Sequence, residues 1–195
     1  MYAQKRYQTI KSFFALHKIA VTIFVIAVLF LTQCSRDEEI LDDTFYHLEI
    51  PEHFPYPEIP DDNILTKGKI ELGKKLFFDK TLSIDSTIAC ASCHKPEHGF
   101  SDNIAISRGV ENRTGFRNAS SLTNVAYAPI LLRDGGFPTL ETQVAVPVQD
   151  HNEMDFNMLE LSMRLKKDAY YKNEFINVFG TEPEPGIITK ALAAF

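Results

Sequence analysis

The segment Cys90-Ala91-Ser92-Cys93-His94 constrains this chain more than any other stretch. Two thiols separated by two residues and followed at once by a histidine form the CxxCH pattern of c-type haem attachment. Each thiol can add across one vinyl group of a porphyrin, and a two-residue spacer on a helical turn sets the sulfurs at the spacing of those vinyls. His94, next in sequence, then points at the iron. A zinc half-site would want a second Cys or His pair, and a thioredoxin-like redox pair would want a βαβ context. Neither accompanies the motif. The pattern therefore predicts one covalent haem c on Cys90 and Cys93, with His94 as axial iron ligand, and a chain folded to wrap it.

The compartment agrees with that chemistry. Lys5, Arg6, Lys11 and Lys18 make a basic leader, and Ile19 to Leu31 form an apolar run of signal-peptide length, short of the ~20 residues that a membrane-spanning helix needs. Residues 1–33 thus read as a signal peptide. The run ends in Leu31-Thr32-Gln33-Cys34, which is similar to a bacterial lipoprotein cleavage box with Cys34 as the lipid acceptor. Gln33 stands where a small residue is usual, and a general secretory cut or an uncleaved anchor is the alternative. Each version sends the body to the periplasm or cell envelope, where bacteria attach c-type haem. With Cys34 assigned to the leader, only Cys90 and Cys93 remain, too few for a disulfide framework. The formal charge of −6, with no Lys and Arg cluster in the body, argues against a nucleic-acid partner. Membrane contact is expected only through the lipid anchor.

Residues 34–62 are acidic and then rich in proline (Pro51, Pro55, Pro57, Pro60), which reads as a tether. Residues 63–195 read as the haem domain. Leu65, Leu72 and Leu76 share one helical face and predict a helix from about Thr66 to Phe78, with Gly68 and Gly73 allowing a close neighbour. Ser83 to Pro138 is rich in Gly, Asn, Ser and Pro, and predicts long loops with brief helices wrapping a ligand. Helices are expected over Thr139 to Val146, Asn157 to Leu165, Ala169 to Phe179 and Ile187 to Phe195, with the Gly180 to Gly186 segment and its two prolines breaking the last pair. The fold class is all-α, a cytochrome c-like haem domain with long loops. The chain stops inside its last predicted helix without a stop signal, and a continuation is expected.

With His94 on one face of the iron, function turns on the other: a sixth protein ligand makes an electron carrier, an open face binds a small molecule. His98 lies on the proximal segment and reads as a surface or supporting histidine. His151, Met154, Met158 and Met163 follow later, and Met at helical spacing is more often core than ligand. No sixth ligand is assigned.

These residues stand inside a longer pattern. Glu71-Leu72-Gly73-Lys74-Lys75-Leu76-Phe77-Phe78-Asp79, then Leu82-Ser83 and the CxxCH, Gly99-Phe100-Ser101-Asp102, Arg117-Asn118-Ala119-Ser120-Ser121-Leu122 and Asp134-Gly135-Gly136 follow in order. From about Ile64 to Phe195 the chain resembles the bacterial dihaem cytochrome c peroxidase and MauG family, in its N-terminal, peroxidatic haem domain. The resemblance implies that Gln143 and Glu153, ten residues apart, line the open face of the haem. A carboxylate there can take a proton from the near oxygen of hydrogen peroxide and return it to the far one, while Gln143 orients the peroxide. Apart from the resemblance, Glu153 reads as a helix-start acid with a capping role. The resemblance also implies that Asn118 helps hold a calcium ion through its side-chain oxygen; taken alone, it is an ordinary loop or cap Asn.

Three departures from the family pattern follow. Val110, eight residues before Asn118, stands where many members have a displaceable distal His, so the iron is expected to be open in every redox state. Arg133, ten before Gln143, replaces the Trp between haems. The family's second haem domain does not follow within these 195 residues, so the chain is expected to be a fragment of a longer protein. The implied activity is reduction of hydrogen peroxide to water with electrons from a cytochrome c or similar envelope donor. The alternatives are a MauG-like oxidase acting on a protein or organic substrate, and a plain electron-transfer cytochrome. With one haem, the second oxidising equivalent would fall on the porphyrin or on a tyrosine such as Tyr127.

Overall fold

The computed structural model describes residues 45–132 and 135–195. The signal peptide, Cys34, the start of the tether, Arg133 and Asp134 lie outside the described residues. The described chain is helical, with four isolated antiparallel bridges pinching its loops. Among the described residues no helix is long and apolar enough to cross a membrane.

Thr66 starts helix α1 (Lys67–Phe78) by accepting the Lys69 N–H at 3.2 Å on its hydroxyl. Its Leu72, Leu76 and Phe77 face the core. A single turn, α2 (Cys90–Cys93), carries both thiols. Helix α3 (Leu140–Gln149) opens on a Thr139 cap. Helix α4 (Met158–Lys167) is capped by Asn157, and α5 (Ala169–Phe179) by Asp168, each through side-chain oxygens accepting backbone N–H groups. Gly180, at φ 71°, ends α5 in the left-handed region that glycine enters without penalty. Helix α6 (Pro185–Ala194) closes the domain. Helices α1 and α6 pack so closely that a Cβ on Gly73 would stand 1.9 Å from the Ala191 carbonyl oxygen.

Helix α4 runs to Lys167, two residues past the expected Leu165, and two further boundaries shift. Helix α3 continues past Val146 through Pro147 to Gln149, because the turn after it satisfies its last carbonyls. Asp150, Met154 and Phe156 donate their N–H groups to Val146, Pro147 and Val148 at 2.9, 3.1 and 2.8 Å. Helix α6 begins at Pro185, two residues earlier than expected. Proline at the first helical position gives up an N–H that would have no partner there, so Pro185 starts this helix instead of breaking the pair. The described part of the tether is also less free than its prolines suggest: Tyr46 N–H donates to the Leu65 carbonyl at 3.0 Å, Tyr127 O–H to the Pro55 carbonyl at 2.9 Å, and Phe54 packs edge-on against Tyr127. Pro57 is buried as well, so the tether's prolines and aromatic residues both give it apolar surface to lay against the domain.

Arg164 joins the helices to the loop that leads into α2. Its guanidinium lies 4.1 Å from the centre of the Phe156 ring and donates to the carbonyls of Thr81, Ser83 and Ile84 at 3.0, 2.8 and 2.7 Å. Ile84 N–H in turn reaches the Met154 carbonyl at 3.0 Å.

Candidate functional site

The attachment side is built by a tight loop. Cys90 and Cys93 are free thiols on α2, each partly exposed, with Cys90 packed on the core. Surrounding protein pushes the Cys90 thiol up to about 12. Burial first, then the charges of Asp102 and Glu153, raise Cys93 as well. Both sulfurs therefore stay protonated at neutral pH, which slows their oxidation to one another.

His94 follows α2 directly, and its Nδ1 lies 2.9 Å from the Phe100 carbonyl oxygen. A carbonyl can only accept, so Nδ1 carries the hydrogen and Nε2 keeps a lone pair for a metal. The loop that delivers this carbonyl closes through Lys95 N–H to Ser101 O at 3.0 Å and Phe100 N–H to Lys95 O at 2.9 Å. Gly99 and Phe100 both adopt positive φ, 63° and 58°. That conformation is a genuine outlier for a bulky residue, and it persists here because it aims the Phe100 carbonyl at His94. Phe77 of α1 supports both rings, 6.4 Å from His94 and 6.0 Å from Phe100, centre to centre.

Gln143 lies on α3, half-buried, one turn before Pro147, which has no N–H to offer the Gln143 carbonyl. Glu153 lies in the turn between α3 and α4, outside the first turn of α4, so the helix-capping alternative for it fails. That turn is clamped to the loop around Val110. Val110 N–H donates to the Glu153 carbonyl at 2.9 Å, and a Cβ on Gly109 would stand 2.1 Å from Asn152 O and 2.5 Å from Glu153 O, so only glycine lets the two backbones meet. The Val110 side chain is wholly buried. Although Glu153 presents area to solvent, enough protein surrounds its carboxyl that desolvation, reinforced by the Asp150 charge, raises it above the usual carboxylate range. Cys93 Sγ lies 3.9 Å from the carbonyl oxygen of Arg108, the residue before Gly109, so the loop that holds the Glu153 backbone also meets one of the two thiols.

Residues missed by the sequence reading hold this arrangement. Arg113 donates to Asp155 Oδ2 at 2.8 Å and to the Val110 carbonyl at 3.2 Å, and His151 Nδ1 lies 3.2 Å from the same Asp155 oxygen. Arg113 and Asp155 thereby bracket the Glu153 turn. Hydrogen bonds from Arg113 outweigh burial and, with His151, hold the Asp155 carboxyl below its ordinary value near 3.8. A depressed folded value means that this contribution is present above the unfolded pKa and lost as pH falls through the folded one. Asp155→Asn is thus expected to melt at a lower temperature than the parent chain at neutral pH, with the two Tm values converging only in strong acid. A pH series of thermal melts checks this.

The other candidate ligands are otherwise engaged. Met154 and Met158 belong to the core, His98 is exposed on the proximal turn, Met163 is exposed, and His151 is paired with Asp155. Asn118 is half-buried beside Ala119, whose N–H and carbonyl are held by Ser107 Oγ at 3.2 Å and Ser101 Oγ at 2.9 Å. Among the described residues no group of three His, Cys, Asp or Glu could hold a metal ion by itself. The donor set fits haem c: two thiols one turn apart, and an imidazole whose second nitrogen is fixed.

All of the described α-helices lie within a stretch that matches a family model. Residues 67–195 match that of the di-haem cytochrome c peroxidases. The chain is 36% identical over 137 residues to the methylamine utilization protein MauG of Methylophilus methylotrophus, covering 70% of this chain and 41% of that protein. It is 34% identical over 148 residues to the cytochrome c peroxidase Ccp of Escherichia coli, covering 74% and 32%. Among solved structures, a MauG-like protein associated with microbial copper homeostasis superposes with a TM-score of 0.72 at 30% identity, over 77% of this chain and 45% of that one. The chain thus spans about two-fifths of the length of the MauG relative and one-third of the peroxidase. An all-α, cytochrome c-like haem domain with this match over two-thirds of its length belongs to the di-haem cytochrome c peroxidase family.

Proposed function

We propose that this domain reduces hydrogen peroxide to water at a haem c held by Cys90, Cys93 and His94, with electrons from a cytochrome c or similar donor. Haem c, when bound, supplies the iron that receives the peroxide and accepts its oxidising power. The chain's own residues do the rest. The Phe100 carbonyl fixes the His94 tautomer, so that Nε2 would be the nitrogen with a lone pair to hold the iron. Gln143 orients the peroxide by hydrogen bonding. Glu153 takes a proton from one peroxide oxygen and returns it to the other, which then leaves as water. The observation that carries this reading is the Glu153 turn, whose backbone is clamped to Gly109 and Val110 on the loop that also meets Cys93, with the Glu153 carboxyl raised above its ordinary value.

Likeness to MauG supports a second reading, an oxidase that turns the same chemistry on a protein or organic substrate. Reduced cytochrome c separates the two: the peroxidase should oxidise it catalytically when peroxide is added, whereas the oxidase should barely do so. The reading further entails export to the periplasm or cell envelope, with lipid on Cys34 as the membrane link. It also entails a calcium ion at Asn118, completed by ligands from a second haem domain; calcium chelation that leaves the haem spectrum and the melting temperature unchanged would argue against that ion.

A further inference from the structure

Hydrogen peroxide needs two electrons to become water, and a ferric haem iron supplies one, so under the reading above a second group must give up the other, and a tyrosine of this domain can do so whether or not a second haem accompanies it. The described tyrosines differ sharply in their fitness for this. Tyr46 and Tyr56 are exposed. Tyr127 donates its O–H to the Pro55 carbonyl, which is too weak a base to keep a proton. Tyr170 is 45% exposed, and the Lys75 ammonium lies 3.6 Å from its ring centre, which disfavours a positive hole on that ring. Tyr171 is 3% exposed, and its O–H donates to Asp79 Oδ2. Burial opposes ionisation of Asp79, but hydrogen bonds from Tyr171 and Thr81 outweigh it and keep the carboxyl below the usual range, so a carboxylate faces the phenol at neutral pH.

The same pair lies near the ring that meets His94. Asp79 follows α1 two residues after Phe77, so their α-carbons are at most ~7 Å apart. The Phe77 ring is 6.4 Å from that of His94. Tyr171 and Phe77 both belong to the core that α1 shares with α5 and α6.

We propose that Tyr171 is a redox-active side chain that holds one oxidising equivalent as a buried phenoxyl radical, with Asp79 as its proton acceptor. One electron passes from Tyr171 to the haem centre that hydrogen peroxide has oxidised. The phenolic O–H bond breaks, and its proton moves to Asp79 Oδ2. The pair goes from one negative charge to none, and no buried cation forms. An electron from the donor restores the phenol as the proton returns from Asp79.

The test mixes the ferric, haem-loaded chain with hydrogen peroxide, freezes it within milliseconds, and records the electron spin resonance and haem optical spectra together. The inference expects an organic radical that narrows when the protein is grown on ring-deuterated tyrosine. It expects the signal to survive in Tyr127→Phe, to vanish in Tyr171→Phe, and to fall in Asp79→Asn, which keeps an acceptor oxygen but cannot keep the proton. If Tyr171→Phe does not load haem, the labelled parent chain with Tyr127→Phe decides, and loss of the signal in Tyr127→Phe overturns the inference. A haem that changes with peroxide while no tyrosyl signal forms, or while the signal persists in Tyr171→Phe, overturns it and leaves the peroxidase reading standing. A haem spectrum indifferent to peroxide overturns both.

Discussion

Replacing Glu153 with Gln is expected to slow the reaction of the haem-loaded chain with hydrogen peroxide by about 10²- to 10⁴-fold, the usual contribution of a positioned acid-base group. Glutamine keeps the size of the side chain and can still donate and accept hydrogen bonds, but it cannot take up a proton and return it. Haem loading should be unaffected, because Cys90, Cys93 and His94 are untouched and the turn is held by backbone contacts to Gly109 and Val110. The pH dependence has a definite sign. Burial, helped by Asp150, raises the Glu153 carboxyl, so the proton-accepting form is lost at a pH above the ordinary glutamic acid value of 4.5 as the solution is acidified. The rate of the parent chain should therefore fall on an acid limb above that value, and Glu153→Gln should lack the limb. Stopped-flow mixing with peroxide across pH measures both. An unchanged rate in Glu153→Gln would remove Glu153 from the mechanism.

Gly73→Ala should be strongly destabilising. Its Cβ would stand 1.9 Å from the Ala191 carbonyl oxygen and 2.9 Å from that carbonyl carbon, both backbone atoms that cannot swing aside. Alanine is the better helix former by roughly 1 kcal/mol, yet forcing α1 and α6 apart costs about 1–3 kcal/mol or more. The clash should prevail, and because α1 carries Phe77 against His94, haem loading should fall with stability. Gly186 on α6 is the control: nothing lies within 4 Å of a Cβ there, so Gly186→Ala should be neutral or slightly stabilising. Denaturant unfolding of the two variants checks the contrast, and equal stability would show that the α1 to α6 contact is looser than the structure has it.

Features that depend on neighbours in sequence were legible in it. The spacing of the two thiols and His94 points to a covalent haem, and the 3.6-residue repeat of Leu72 and Leu76, with Gly73 between them, announces a helix with a close neighbour. Asn157 and Asp168 announce helix starts because a short polar side chain followed by an apolar repeat leaves the chain little else to do. What depends on contacts across the chain was hidden. Arg113 and Asp155 are forty-two residues apart, and nothing local marks them as the brackets of the Glu153 turn. The left-handed turn at Phe100 cannot be read from a bulky residue that ordinarily avoids it. Pro147 misled because a proline usually ends a helix, whereas here the following turn supplies donors to the carbonyls around it. Gln143 and Glu153 were reached only through family resemblance, since one is an unremarkable helix residue and the other a turn residue whose backbone the fold packs on the Gly109 loop.

The open iron face is the claim on which the rest depends, and the optical and spin-resonance spectra of the matured, haem-loaded chain, ferric and ferrous, before and after peroxide, test it most directly. With His98 exposed on the proximal turn and Met154 and Met158 committed to the core, the account predicts a high-spin ferric haem whose spectrum changes within the mixing time when peroxide is added. A low-spin haem in both redox states, indifferent to peroxide, would mean that a protein side chain closes the iron, and would make the domain an electron carrier.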